Sequence, residues 1–214
     1  MGNSTEGEIV WHGETITAPV QETLRVLRDR SLLGSAYLAG GTGLALQFGH
    51  RRSLDLDFFL NEVLDEEAFL QRAQTMPGFS LVSKAPHTIH ANIQDTKVSF
   101  LEYLYPLLFP CVRFLGVPVA DPRDIACMKI SAIASRGTKR DFVDLYFAGQ
   151  RFDFSDLLVW FARKYAQTRY NRLHVLKSLT YFEDAEKDPM PHMLVPLEWA
   201  EVKAFFRQAA AGRV

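Results

Sequence analysis

The sequence has 214 residues, of which 48% are hydrophobic and 12% aromatic. This composition can fill a substantial core, so it excludes an intrinsically disordered chain and predicts one domain, or a catalytic core with an added helical part. The net charge of −1 argues against a protein whose whole surface binds nucleic acid, while a local basic face stays open.

Hydropathy and cysteine usage predict a cytoplasmic protein without membrane segments. No apolar run reaches the length of a membrane span, and no signal-peptide pattern precedes Trp11. Cys111 and Cys127 stand in apolar surroundings without the spacing of metal ligands, which predicts two buried thiols.

The first predicted element is a helix that opens at Pro19, after residues 1–17, which we expect to be partly loose. Its apolar positions Leu24 and Leu27 recur at helical spacing and lie on one side. We therefore expect this helix to pack beside a strand that begins at Tyr37.

Residues 37–60 have the pattern of a strand, a glycine turn, a helix and a second strand. Gly40 and Gly41 allow the backbone to turn sharply and to approach a ligand closely. If the helix begins at Thr42 or Gly43, its first N–H groups are unpaired and favour an anion. Adjacent glycines are also common in ordinary turns, so this feature alone does not establish a phosphate site.

Two acidic residues lie on the second strand, which we predict over residues 54–60. Because side chains alternate along a strand, Asp55 and Asp57 would share one face, with Leu54 and Leu56 facing the core. Two neighbouring carboxylates repel each other unless a cation lies between them. Magnesium is the natural candidate, since it takes one or two carboxylates together with substrate phosphates.

This combination of motifs resembles the DNA polymerase β-like nucleotidyltransferase superfamily, which has Gly-Gly or Gly-Ser, a short helix, and Asp-x-Asp on the next strand. Within it, GGTGLALQFGHRRSLDLDFF is similar to the AbiEii/AbiGii-type toxin nucleotidyltransferases, where GGT-x-L-x-L and R-x-S-x-D-x-D-F-F recur. The resemblance implies an α+β fold: a small mixed or antiparallel sheet flanked by helices, with a mainly helical C-terminal part.

An acidic first turn after Asp65 predicts a further helix, and three strands in an antiparallel meander follow over residues 79–84, 88–93 and 97–101. His87 and His90 differ by an odd number and face opposite sides, so we interpret them as surface or hydrogen-bonded histidines. The superfamily often has a third carboxylate on the last of these strands. Ser99 stands at that place here, which puts the strength of metal binding in doubt.

After a strand over residues 112–119, the chain changes character near Asp121, from mixed α/β to nearly all helix. Asp121 and Pro122 predict a helix start, and Gly137 predicts the end of that helix. We therefore expect a nucleotidyltransferase core over residues 1–120 and a helical domain over residues 121–214 that completes the active site.

A second group of charged residues lies on these helices. Taken alone, Lys129 could be on the exposed side of an amphipathic helix, and Asp141 could cap its own helix. The resemblance implies function instead, because the family motif K-x-x-A/S…R-G-x-x-R-D-x-x-D-L is matched here from Lys129 to Leu145. It carries a functional role to Lys129 and to Asp141, with Asp144 in reserve.

Residues 163–177 form a basic run without acids, which includes Lys164, Arg169 and Arg172. Such a run is usually a solvated helix face. In a nucleotidyltransferase it could be the track for an RNA acceptor, through phosphate contacts and stacking.

The resemblance implies an enzyme that moves a nucleotide from an NTP to a hydroxyl, with RNA, a tRNA 3′ end, as acceptor and a cognate antitoxin as partner. Its residues have the following expected roles: Asp55 and Asp57 hold Mg²⁺ or Mn²⁺; Gly40, Gly41 and Thr42 cradle the phosphates; Lys129 neutralises the triphosphate; and Asp141 orients or deprotonates the acceptor.

Two other readings stay open at this stage. A non-catalytic nucleotide-binding or antitoxin-binding module is favoured by Ser99, in place of the third carboxylate. A dinucleotide-binding domain is weaker, because the third glycine of its fingerprint is missing.

Overall fold

A mixed sheet of seven strands underlies the first half of the chain, in a computed structural model that describes residues 9–211. The strands are β1 (Tyr37–Leu38), β2 (Leu56–Leu60), β3 (Phe79–Ala85), β4 (Thr88–Ile93), β5 (Thr96–Glu102), β6 (Val112–Phe114) and β7 (Val117–Val119). Their order is β3-β4-β5-β2-β1-β7-β6. Strand β2 runs parallel to β5 and antiparallel to β1, and β1 runs parallel to β7.

Helices flank the sheet, and they are the secondary-structure elements of residues 121–211. They are α1 (Ala18–Asp29), α2 (Gly40–Phe48), α3 (Glu66–Ala73), α4 (Pro122–Ser135), α5 (Lys139–Arg151), α6 (Phe154–Lys164), α7 (Arg172–Ser178), α8 (Glu183–Glu186) and α9 (Trp199–Ala210). The predicted α+β class, with a mixed sheet and a helical C-terminal part, is confirmed. The boundary between domains at residue 120 stays a prediction.

The antiparallel meander β3–β4–β5 is confirmed, and its last turn fixes its register. Gln94 and Asp95 both have positive φ, 49° and 65°, as a two-residue hairpin turn requires. The strands pair as Ile93 with Thr96, and therefore as His90 with Ser99. Two neighbouring strands thus place His90 and Ser99 side by side on one face.

The two faces of the sheet are covered by different helices. On one face, Leu56 and Phe58 are fully buried in a cluster that includes Leu24 and Leu27 of α1. On the other face, Tyr37 packs in a second cluster with residues of α2 and of α4–α9. Because residues alternate along β2, Asp57 faces this second, helical side.

Several sequence expectations need adjustment, among them the single strand expected over residues 112–119, which forms two antiparallel strands, β6 and β7. Leu54 is 55% exposed, because β2 begins only at Leu56. Cys127 is buried, whereas Cys111 is only partly buried. Residues 1–8 of the segment predicted to be loose lie outside the described residues, while Gly13–Thr15 forms a short 3-10 helix.

Within residues 9–211, the helices are all too short or too polar to traverse a lipid bilayer.

Candidate active site

The two acidic side chains of the Asp-x-Asp motif line one cleft. Asp57 lies on β2, and Asp55 lies two residues earlier, just before the strand begins. Both line a cavity of about 260 Å³, which Lys129, Arg136 and Asp141 also line. Among the described residues, neither carboxylate has a hydrogen-bond or ion-pair partner. The structure thus brings together the predicted residues of both motifs.

The first two residues of α2, Gly40 and Gly41, must be glycines because other side chains lie directly against them. Gly40 has a φ of +62°, and a Cβ atom there would lie 3.0 Å from Oδ2 of Asp57. A Cβ atom on Gly41 would lie 2.2 Å from Nη2 of Arg51. The start of α2 therefore sits directly against an anionic and a cationic group, and any larger side chain would fill the cleft.

Thr42 has a structural contact that the sequence did not predict. Helix α2 begins at Gly40, two residues earlier than expected, so Thr42 lies within its first turn. Its hydroxyl is buried, 2.8 Å from Oγ of Ser53, and it donates to the carbonyl oxygen of Asp55. The Thr42 side chain therefore fixes the entry to β2, and only its backbone is free to contact a ligand.

A buried ion network holds the helical side of the cleft. The carboxylate of Asp144, with no exposed side-chain surface, accepts from Nε and Nη2 of Arg51 at 2.7 and 2.9 Å and from Nε2 of His50 at 2.8 Å. Lys129 Nζ lies 2.7 Å from the same carboxylate. Burial alone would raise the pKa of Asp144, but Arg51 and Lys129 hold this pKa well below its usual range.

Asp141 is held by a second set of donors. It accepts from Lys129 Nζ at 2.9 Å, from Arg136 Nε at 3.2 Å and from the Thr138 hydroxyl at 2.7 Å. Burial would raise its pKa, but Lys129 and Arg136 lower it. Asp141 therefore stays ionised, and its oxygens already have donors.

Lys129 is buried, not on an exposed helix face. Only 8% of its side chain is accessible, and its ammonium group lies between Asp141 and Asp144. Burial would lower its pKa, but Asp144 and Asp141 raise it, so the ammonium keeps its charge. Arg136 is the more accessible cation of the cleft, with 66% of its side chain exposed.

The basic run 163–177 includes a buried residue, Lys164, and exposed residues on α7. Lys164 is fully buried, where it donates to Asp124 at 2.7 Å and to the carbonyl oxygen of Pro106 at 2.8 Å, so it cannot contact RNA. Arg172 and Lys177 lie on α7, which packs against α4, where His174 Nε2 donates to the carbonyl oxygen of Ala134 at 2.9 Å.

Sequence reasoning missed several residues of the site. Arg51 stands in the R-x-S-x-D-x-D motif, and Arg136 stands in the second motif, so both were within reach of the sequence. His90, interpreted as a surface or hydrogen-bonded histidine, lines the cleft beside Asp57 and Ser99, with Nδ1 3.0 Å from Oγ of Ser99.

The donor set fits a hard divalent cation. Asp55 and Asp57 supply carboxylate oxygens without competing partners, which is the chemistry that Mg²⁺ and Mn²⁺ prefer. Within residues 9–211, no three His, Cys, Asp or Glu side chains are grouped as ligands. A cation held here would complete its coordination from phosphate oxygens and water, as Mg²⁺ commonly does.

Comparison with known proteins identifies the family. The model of the AbiEii nucleotidyl transferase toxins, of type IV toxin–antitoxin systems, matches residues 87–211. The chain belongs to this family. An uncharacterized protein of Aquifex aeolicus is 34% identical over 194 residues, covering 88% of this chain and 92% of that protein.

Solved structures show the same fold as this AbiEii-family chain. MenT4, a nucleotidyltransferase toxin of Mycobacterium tuberculosis, has a TM-score of 0.57 at 18% identity, covering 91% of this chain and 85% of MenT4. The antibiotic-resistance factor ANT(2'')-Ia has a TM-score of 0.52 at 14% identity, covering 70% of this chain and 90% of that factor. The resemblance inferred from the sequence motifs is confirmed.

The ion network of this AbiEii-family protein leads to a stability prediction. We expect Lys129→Ala to lower the free energy of unfolding by about 3 kcal/mol, because it leaves two buried carboxylates without their shared cation. Urea unfolding measures this loss. Lys187→Ala is the control, since it removes a lysine whose pair with Asp184 is exposed, and its unfolding midpoint should not move. An equally small effect of Lys129→Ala would contradict the network.

The register of β2 and β5 leads to a second prediction. Because Asp57 pairs with Ser99, Ser99→Asp places a third carboxylate beside the first two. We expect it to tighten Mn²⁺ binding roughly tenfold, about 1.4 kcal/mol, and to destabilise the metal-free protein by repulsion.

Calorimetric titration of Mn²⁺ without nucleotide measures the affinity. Ser80→Asp adds the same charge on the edge strand β3 and should leave Mn²⁺ affinity unchanged. Equal affinities of Ser99→Asp and the unsubstituted protein would show that residue 99 does not face the metal site.

Proposed function

We propose that this AbiEii-family chain transfers a nucleotidyl group from an NTP to a hydroxyl of RNA, with a tRNA 3′ end as the first candidate acceptor. The observation that carries the proposal is the pair of unpartnered carboxylates, Asp55 and Asp57, facing the cations Lys129 and Arg136 across one cleft. The same cleft offers an anionic site for metal and a cationic site for phosphates.

Asp55 and Asp57 hold the metal in this proposal. A divalent cation bound there would polarise the phosphates and favour the ionised form of an acceptor hydroxyl. The N–H groups at the start of α2, next to Gly40 and Gly41, point to the same place and suit phosphate oxygens.

In this proposal, the cations of the cleft bind different parts of the triphosphate. Arg136 and Arg140 line the cleft within reach of the β- and γ-phosphates, and Arg136, which donates to Asp141 through Nε, keeps its two Nη groups for phosphate oxygens. Lys129 lies deeper, and two of its three N–H bonds point to Asp141 and Asp144, which leaves one for a phosphate oxygen. As the acceptor oxygen bonds to the α-phosphorus, the bond to the β-phosphate breaks and pyrophosphate leaves with its electron pair. These cations stabilise that charge.

Asp141 has an orienting role in this scheme. Its lowered pKa and three donors make it a poor proton acceptor, so we assign it to holding Lys129 and Arg136 in place.

Two observations support an RNA acceptor and an antitoxin partner. Arg172 and Lys177 lie on α7, which contacts the last turn of α4, the helix that precedes Arg136, so basic residues that could contact phosphates stand on a neighbouring element. The family description, a toxin of type IV toxin–antitoxin systems, supports a cognate antitoxin.

The second candidate function is a non-catalytic nucleotide-binding or antitoxin-binding module. Ser99 favours it, because a site with two carboxylates binds metal more weakly than one with three.

A transfer assay separates the two functions. We expect label from one of the four radiolabelled NTPs to appear in total tRNA when the protein and Mg²⁺ are present, and EDTA to abolish it. Asp57→Asn should lower the rate at least about a hundredfold, since it removes a metal ligand and its charge.

The melting temperature of metal-free Asp57→Asn should be unchanged or slightly higher, because one of two repelling charges is gone. Asp95→Asn makes the same change in an exposed turn and should transfer at the full rate. An unsubstituted protein that binds NTP but never labels an acceptor would support the binding module instead.

A further inference from the structure

We propose that His90, oriented by Ser99, accepts the proton of the acceptor hydroxyl during transfer. This inference rests on the proposed nucleotidyl transfer and adds to it the group that removes the proton. It assigns a chemical role to the place where the sheet has a serine and not a carboxylate.

Three adjacent strands place the relevant side chains in one row. Asp57 on β2 pairs with Ser99 on β5, and Ser99 pairs with His90 on β4. Neighbouring strands lie about 4.8 Å apart, so His90 is about two strand spacings from Asp57 on the same face of the sheet. All three line a cavity of about 350 Å³ together with Gly40 and Lys129.

The other groups of the cleft cannot take this proton. Asp55 and Asp57 are committed to a cation. Asp141 has a lowered pKa and three donors. Tyr103 is held against the Tyr165 hydroxyl, and burial raises its pKa far above neutrality.

Imidazole has the right chemistry for the task. Histidine is the side chain that most often acts as a general acid or base in enzymes. His90 is exposed, and within the described part of the chain its Nε2 has no hydrogen-bond partner. The charged groups around it are Asp57 on β2, Lys97 on the same face of β5 and Arg136 across the cleft.

Ser99 can hold the tautomer that this role needs. Nδ1 of His90 lies 3.0 Å from Oγ of Ser99, and a serine hydroxyl can accept as well as donate. When Nδ1–H donates to Oγ, Nε2 carries the lone pair and can accept a proton. The oxygen–phosphorus bond then forms as Nε2 takes the hydroxyl proton, and the histidine later gives this proton to water. Ser99 acts here as a positioning residue.

The activity test uses labelled NTP with total tRNA as the probe. We expect His90→Gln to lower kcat about a hundredfold, with Mn²⁺ and NTP affinities unchanged. Ser99→Ala should give a smaller loss. His87→Gln, in the neighbouring turn, should keep the full rate.

Nitrogen NMR of histidine-labelled protein gives a readout that does not need turnover. We expect His90 to be protonated at Nδ1 when neutral, and Ser99→Ala to lose that preference.

The outcomes separate the two proposals. If Asp57→Asn is inactive while His90→Gln keeps the full rate, the transfer function stands and the role of His90 is overturned. Protonation of neutral His90 at Nε2 overturns it as well. If the unsubstituted protein transfers no label, the proposed function fails and the role of His90 fails with it.

Discussion

The buried carboxylate of Asp144 joins the two parts of the molecule. Its partners come from the segment after α2, which supplies His50 and Arg51, and from α4, which supplies Lys129, while Asp144 itself lies on α5. Removing such charges from water is costly, and the cost is offset only when every donor is in place. The sheet and the helices therefore meet in one geometry, and that geometry sets Lys129 opposite Asp55 and Asp57.

As a result of this constraint, the charged residues of the site fall into two groups. Asp144, Lys129 and Asp141 are buried and lie in ion pairs with one another or with Arg51, whereas Asp55, Asp57 and Arg136 line the cleft, where 66% of the Arg136 side chain is exposed. A ligand of opposite charge lowers the free energy of an unpaired charge more than that of a charge that already has a partner. The arrangement is what the proposed transfer requires, with unpaired carboxylates for a metal and accessible cations for a triphosphate in one cleft.

Local sequence patterns predicted much of the fold and of the candidate site, whereas pairings between residues far apart in sequence could not be predicted from them. Alternation placed Asp55 and Asp57 correctly, and caps placed α3 and α4. The Gln94-Asp95 turn fixes the register that places His90 beside Ser99. The turn was visible in the sequence, but the pairing of His90 with Ser99 was not predicted. The family motif implied a functional role for Lys129, but neither its burial against Asp144 nor the burial of Lys164 against Asp124 follows from the sequence. No local pattern shows which lysine is buried.

A crystal structure with Mn²⁺ and a non-hydrolysable NTP tests the central claim most directly. The account predicts an anomalous peak between the carboxylates of Asp55 and Asp57, with phosphate oxygens at the start of α2 and within hydrogen-bond distance of Arg136. It also predicts that Asp144 and its partners do not move. A nucleotide bound away from this cleft, or a metal ion that Asp55 and Asp57 do not touch, would contradict it.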